Sequence, residues 1–204
     1  MKTALSLLCA AALVMLSCVR QPYHHYSIRC HLAPDAPSDS VTIVMCDSIY
    51  DQNIVLHSGT ATNGAITFNG HTPNANVAWA LLGNDTVPYF FVLEKGAVDL
   101  WWKEGEFKIA SRAPRNVEYI NLINARARVL AMRKQVRDTH ALLLADTIPH
   151  PDETLALARR DSVLCDSLHT ILSNFISRGT LPAQIARTRF STTTDTILQT
   201  PNNQ

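Results

Sequence analysis

The chain has 204 residues, 47% of them hydrophobic, with 18 Lys or Arg against 17 Asp or Glu and a formal net charge of +1. That length suffices for one or two domains with a real core, and so balanced a charge provides no overall field to attract nucleic acid. Nucleic-acid partners are therefore not expected.

Met1-Lys2-Thr3 carries one positive charge and precedes an apolar run from Ala4 to Leu16 that ends in Ser17-Cys18. The run is too short to span a bilayer as a helix and has the layout of a secretory signal. Val14-Met15-Leu16-Ser17-Cys18 resembles a bacterial lipobox, whose cysteine is diacylated on sulfur, exposed by signal peptidase and acylated again on its new amine. Ser17 fits that pattern closely; Met15 and Leu16 fit it more loosely. The alternatives are an ordinary signal peptide, or a retained anchor in which Cys18 is only a small apolar residue. The expectation is a signal peptide over residues 1–17 and a lipidated Cys18, whose several acyl chains would make a stable anchor. The implied location is the bacterial cell envelope, as an outer-membrane lipoprotein facing the periplasm. Loss of residues 1–17 removes one basic residue, leaving 17 basic against 17 acidic.

Residues 18–25 read as a polar tether containing Pro22 and His24-His25, solvated rather than metal-binding. From Tyr26 the period becomes two: Tyr26, Ile28, Cys30 and Leu32 alternate with Ser27, Arg29 and His31, and Val41 to Cys46 returns after a Pro/Asp/Ser turn. In the simplest register these strands pair, with Cys30 opposite Ile43 and Cys46 on the other face, so no disulfide is expected between them. Asn63-Gly64 lies between two segments of strand composition and suits a two-residue type I′ turn. The expected hairpin sets Ala61 against Ile66, Gly59 against Phe68 and Thr60 against Thr67. Val77 to Leu82 follows, and then the most apolar block, Tyr89 to Leu93 and Val98 to Trp102. Turning at Lys95-Gly96 predicts Phe91 opposite Leu100 and Leu93 opposite Val98. Turning at Glu104-Gly105 predicts Trp102 opposite Phe107, Leu100 opposite Ile109 and Lys103 opposite Glu106. About eight short strands over residues 26–111, meandering with one continuous apolar face, imply a β-sandwich or open barrel.

After Pro114 the period is helical. Leu122, Ala125, Val129, Met132, Val136, Thr139 and Leu143 form a heptad-like stripe. A break at Thr147 to Pro151 precedes a second helix, with Asp152 as its cap, the stripe Leu157, Leu164, Leu168, Ile171 and Phe175, and Gly179 at its end. Residues 112–180 thus read as an antiparallel helical hairpin, and 181–204 as a C-terminal tail, largely disordered. The fold class is α+β: an antiparallel β-sandwich or open barrel followed by the hairpin.

Charge is uneven along the chain. Residues 26–110 hold four basic and nine acidic residues, and residues 112–145 seven basic and two acidic. Arg126, Arg133 and Arg137, with Arg128 and Lys134, could offer a basic face to anionic lipid or an acidic partner. The plainer expectation is a solvated face, or one resting on the acidic β domain of its own chain. Adjacent Trp101 and Trp102 must point to opposite faces of a strand. Trp102 belongs to the apolar face, and Trp101, placed near Phe90, is expected beneath the helical hairpin; the alternative is an exposed aromatic binding platform. Cys165 and His169 share a helix face but complete no metal site, so Cys165 is expected in the core. No Gly-x-Ser-x-Gly, His-Glu-x-x-His, Cys-x-x-Cys or Gly-rich phosphate loop occurs. No catalytic residue, metal or cofactor is therefore assigned.

The order of features resembles a known family. A lipoprotein signal and a strand pair precede Thr60-Ala61-Thr62-Asn63-Gly64-Ala65-Ile66-Thr67-Phe68-Asn69-Gly70. Val87-Pro88-Tyr89-Phe90-Phe91-Val92-Leu93-Glu94-Lys95-Gly96-Ala97-Val98-Asp99-Leu100 follows, then a helical hairpin ending near Asn174-Phe175-Ile176. Over Tyr26 to Arg178 this is similar to the uncharacterised N-terminal β domain of Bacteroidetes lipoproteins that commonly precedes a thioredoxin-like disulfide reductase domain. Here Gly179-Thr180-Leu181-Pro182 stands where that domain would begin and no Cys-x-x-Cys follows, so the family's redox activity does not carry over. The expectation is a non-enzymatic, lipid-anchored module for a protein, peptide or glycan. The alternative is an accessory factor in envelope thiol chemistry, working with a separate thioredoxin-like protein or through Cys30, Cys46 or Cys165.

Overall fold

The computed structural model describes residues 24–36, 38–47, 52–84, 86–146, 148 and 150–198; the signal, Cys18, most of the tether and the last six residues lie outside that set. Among the described residues, eight strands form two four-stranded sheets: β1 (His24–Leu32), β2 (Ser40–Asp47), β3 (Gln52–Thr60), β4 (Ala65–Thr72), β5 (Asn76–Leu82), β6 (Tyr89–Leu93), β7 (Gly96–Lys103) and β8 (Glu106–Ser111). Sheet A has the order β4-β1-β7-β8 and sheet B the order β3-β2-β5-β6. The strands are followed, among the described residues, by the helices α1 (Pro114–Ala145), α2 (Pro151–Ile176) and α3 (Leu181–Leu198). The molecule is an α+β open sandwich. Its first strand begins at His24, two residues inside the expected tether.

The alternation of apolar residues places the core between the sheets. Ile28, Cys30 and Leu100 from sheet A, and Val41, Ile43, Ala78, Ala80 and Phe91 from sheet B, are fully buried in one cluster. At roughly 25 cal/mol per Å2 of apolar area removed from water, this layer supplies the main drive to fold.

The pairing is not a meander. β1 pairs with β4 (Cys30 opposite Ile66) and runs parallel to β7 (Cys30 opposite Leu100), so it does not meet β2. The Asn63-Gly64 turn forms as expected, with φ of 55° and 73°. Thr62 and Ala65 exchange both backbone hydrogen bonds there, at 3.0 and 3.2 Å. The ladder ends at that bridge: β3 joins β2 in sheet B and β4 joins β1 in sheet A. The expected hairpin over residues 58–71 is thus a corner between sheets. Lys95-Gly96 is a second corner, since β6 pairs with β5 and β7 with β1 and β8, and Phe91 does not face Leu100 across a ladder. Only Glu104-Gly105 makes the expected hairpin, with Trp102 opposite Phe107, Leu100 opposite Ile109 and Lys103 opposite Glu106.

Where the sheets meet near the first corner, His57 stacks on Phe68 at 5.1 Å and the Tyr26 hydroxyl lies 2.9 Å from His57 Nε2. Gly70 leaves room for that tyrosine, because a Cβ there would overlap the Tyr26 ring and hydroxyl. Gly70→Ala is expected to cost about 2 kcal/mol, the usual penalty for overfilling a packed site, read as a lower urea midpoint with an unchanged slope.

Pro114 occupies the first turn of α1, where its missing N–H costs nothing. α2 likewise begins with Pro151 after His150, so Asp152 lies in the first turn and is not the cap. Gly179, at φ 66°, ends that helix. Over residues 181–198 the expected disordered tail is instead the helix α3; residues 199–204 lie outside the described set. Pro182 is tolerated in its first turn, and Ala183, Ile185, Ala186 and Phe190 bury against Leu122 and Phe175 on one side and Val92 and Tyr119 on another. α1 and α2 pack antiparallel; their base is wedged by α3, which covers β5 and β6.

Candidate functional site

The outer face of sheet A carries the polar residues that alternate with the core. On β1 these are His25, Ser27, Arg29 and His31; on β7 they include Asp99 and Trp101. Register sets Arg29 opposite Asp99 and His31 opposite Trp101. The Arg29 guanidinium donates to Asp99 Oδ2 at 2.7 Å, and His31 Nε2 lies 3.2 Å from Asp99 Oδ1. The His31 ring lies flat on the Trp101 indole, with centroids 3.7 Å apart and planes 9° apart. One carboxylate thus aligns a cation and an imidazole, and the imidazole holds the indole.

Trp101 is 44% exposed. The expected cover by the helical hairpin does not occur. The helices pack on β5, β6 and β8, and Phe90, the expected neighbour, belongs to sheet B, where it contacts Trp79 at 5.7 Å. Of the two expectations for Trp101, the exposed position is the one found.

Beside this constellation an open groove of about 760 Å3 runs along the β6–β7 corner and the entry to α1. Its floor is low because Gly96, Ala97, Ala110 and Ala113 have little or no side chain. Arg29, Lys95 and Arg112 stand around it, with Asp99 its sole acidic lining residue. Asp99 is common to the groove and to the Trp101 stack. Neither sequence motif nor spacing pointed to Arg29, His31, Lys95 or Arg112; the parallel pairing of β1 with β7, across about 70 residues, brings Arg29 and His31 to Asp99 and Trp101, and the β7–β8 ladder brings Arg112 to the same groove.

Of the basic residues on α1, Arg126, Arg133 and Arg137 find partners within the chain, while Arg128 and Lys134 stay exposed. Arg133 Nε donates to Asp161 Oδ1 at 2.9 Å and its second nitrogen to Oδ2 at 3.1 Å; Arg137 reaches the same carboxylate at 3.2 Å. The Arg133 hydrogen bond, with Arg137 adding to it, holds the Asp161 carboxyl below the usual range. Arg126 lies over the Phe190 ring, 4.7 Å from its centroid, and burial together with Arg189 pulls its guanidinium pKa down. These arginines join helix to helix.

Cys30, Cys46 and Cys165 are free thiols. Burial pushes the Cys30 thiol up to about 12, so it holds almost no thiolate, the reactive form, at neutral pH. Native-state alkylation followed by peptide mass mapping is expected to modify the half-buried Cys46 and Cys165 first and Cys30 only on unfolding. Among the described residues, no group of three or more His, Cys, Asp or Glu side chains could hold a metal ion, and no helix is long and apolar enough to cross a membrane. No family model and no curated protein matches the chain.

Proposed function

We propose that this chain is a non-enzymatic binding module of the cell envelope, tethered by a lipidated Cys18 and presenting the outer face of sheet A to its ligand. The observation that carries the reading is Trp101: a large aromatic left 44% exposed, yet fixed by a flat stack on His31. Ordered aromatic surface next to oriented polar groups is the usual make-up of a recognition site, since the ring loses little freedom on contact. The lipobox-like stretch ending at Cys18 supports the tether.

Two measurements test the two halves. Intact mass of the membrane-extracted protein is expected to give a chain starting at acylated Cys18, and Cys18→Ser to release it from membranes; an unacylated chain with any other N-terminus refutes the tether. Hydroxyl-radical footprinting is expected to label Trp101 and His31 less in isolated envelopes than in the purified protein, while Val55, 61% exposed on sheet B, is labelled equally. Equal labelling of Trp101 in both preparations refutes the platform.

A further inference from the structure

We propose that the platform's ligand is an acidic oligosaccharide, with one pyranose ring on Trp101 and a neighbouring carboxylate-bearing ring in the groove bounded by Arg29, Lys95 and Arg112. The inference rests on the reading of sheet A as a binding face and adds the ligand's chemistry.

Three features on the page select it. The first is the indole, whose flat apolar surface suits the C–H face of a sugar ring and whose far side is already stiffened by His31. The second is the Arg29–Asp99 pair, a planar donor fork and an acceptor held 2.7 Å apart at 49% and 21% side-chain exposure. Together they present the donors and acceptors that hydroxyl pairs require. The third is charge: three cations border the groove and Asp99 is its one acidic lining residue. An anionic group entering there meets a net positive field.

Spacing agrees. Asp99 and Trp101 are two residues apart on one face of β7, which separates their side chains by about 7 Å, a gap that adjoining rings of an oligosaccharide bridge. A peptide is a poorer fit. Extended peptides dock by adding a strand to a free sheet edge, whereas Arg29, His31, Asp99 and Trp101 all stand on β1 and β7, the two central strands of sheet A, whose ladders are occupied on both sides. This face offers side chains alone.

The test is isothermal titration of the full chain, in detergent, with oligogalacturonate, with a neutral cello-oligosaccharide of equal length and with an oligoglutamate peptide. Oligogalacturonate is expected to bind best, and more weakly as salt rises. Trp101→Ala is expected to weaken it about tenfold, the loss of roughly one aromatic contact, and Trp101→Phe to retain most of the affinity. Lys95→Gln with Arg112→Gln is expected to weaken the acidic ligand about fivefold, the modest effect of removing exposed charges, and to leave the neutral one unchanged. Equal affinity for both saccharides, each lost in Trp101→Ala, overturns the acidic preference and keeps the platform. Oligogalacturonate binding that survives Trp101→Ala overturns the platform itself. Tighter binding of oligoglutamate, or no saccharide binding at all, overturns the assignment of a glycan.

Discussion

Asn116→Ala is expected to lower the stability of the fold by about 3 kcal/mol, the cost of leaving two or three buried polar groups without partners. For a chain of this size that corresponds to a drop in Tm of roughly 6–12 °C. β6 is the edge strand of sheet B, so the N–H and C=O of Val92 point away from β5. The Asn116 side chain from the first turn of α1 accepts from Val92 N at 2.9 Å and donates to Val92 O at 2.6 Å, in the manner of a ninth strand one residue long. Its own backbone N–H donates to Glu94 Oε1 at 2.9 Å. Asn116 and Val92 are each 1% exposed, so water does not replace what alanine removes. Asn116→Asp keeps the acceptor, loses the donor and sets a second carboxylate beside Glu94; it is expected to fall at least as far and to recover partly at low pH. Urea unfolding followed by circular dichroism measures both, and the exposed Asn121→Ala is the control expected to stay within about 0.5 kcal/mol. A loss under 1 kcal/mol for Asn116→Ala would mean that the edge of β6 is satisfied by other groups.

The second large effect is expected at Asp161. Its carboxylate receives Arg133 on both oxygens and two donors of Arg137 on Oδ2, and the Arg133 side chain is only 7% exposed. Asp161→Ala strands that guanidinium between two helices, at a cost of about 2–3 kcal/mol, below the full penalty for a wholly buried pair because Asp161 is itself 25% exposed. Arg133→Met with Asp161→Ala is expected to recover most of the loss, since it leaves no unpaired buried charge. The sign of the pH dependence follows from the direction of the shift. Folding depresses the Asp161 pKa, so its stabilisation is fully present above the unfolded value, about 3.9, and is lost as pH falls through the lower folded value. Acid unfolding of the native chain below about pH 4 should therefore carry a component that Asp161→Asn lacks. Thermal melts between pH 2.5 and 7 measure it, and parallel curves for the two proteins would remove the pair from the account of stability.

Much of the architecture was legible in local chemistry. The period-two runs marked which residues enter the core, the change to a helical period after Pro114 marked the start of α1, and Glu104-Gly105 specified a hairpin register that holds residue for residue. Asn63-Gly64 was legible only as a turn. Its dihedrals are those of a hairpin, yet β3 and β4 part after one bridge. Alternation states which side of a strand is apolar, and both partners of a pair and both sheets of a sandwich satisfy it equally. α3 escaped notice because its Thr-rich sequence has weak helical preference; what stabilises it is burial of Ile185, Ala186 and Phe190 against elements distant in sequence. The arginines of α1 looked like a surface because their shared partner, Asp161, lies on another helix.

By itself, then, the chain's order of residues determined the interior-facing side chains, the places where the backbone reverses and the passage from strands to helices, because each follows from contacts within a few residues. Neighbour relations between strands were decided only in three dimensions. The parallel docking of β1 on β7 brought Arg29, His31, Asp99 and Trp101 together, and the packing of helices on β5, β6 and the edge strand β8 left Trp101 exposed. The reason is physical: a side chain's apolar or polar character constrains which way it points, whereas its neighbour across a sheet is set by how all the apolar faces can be covered at once.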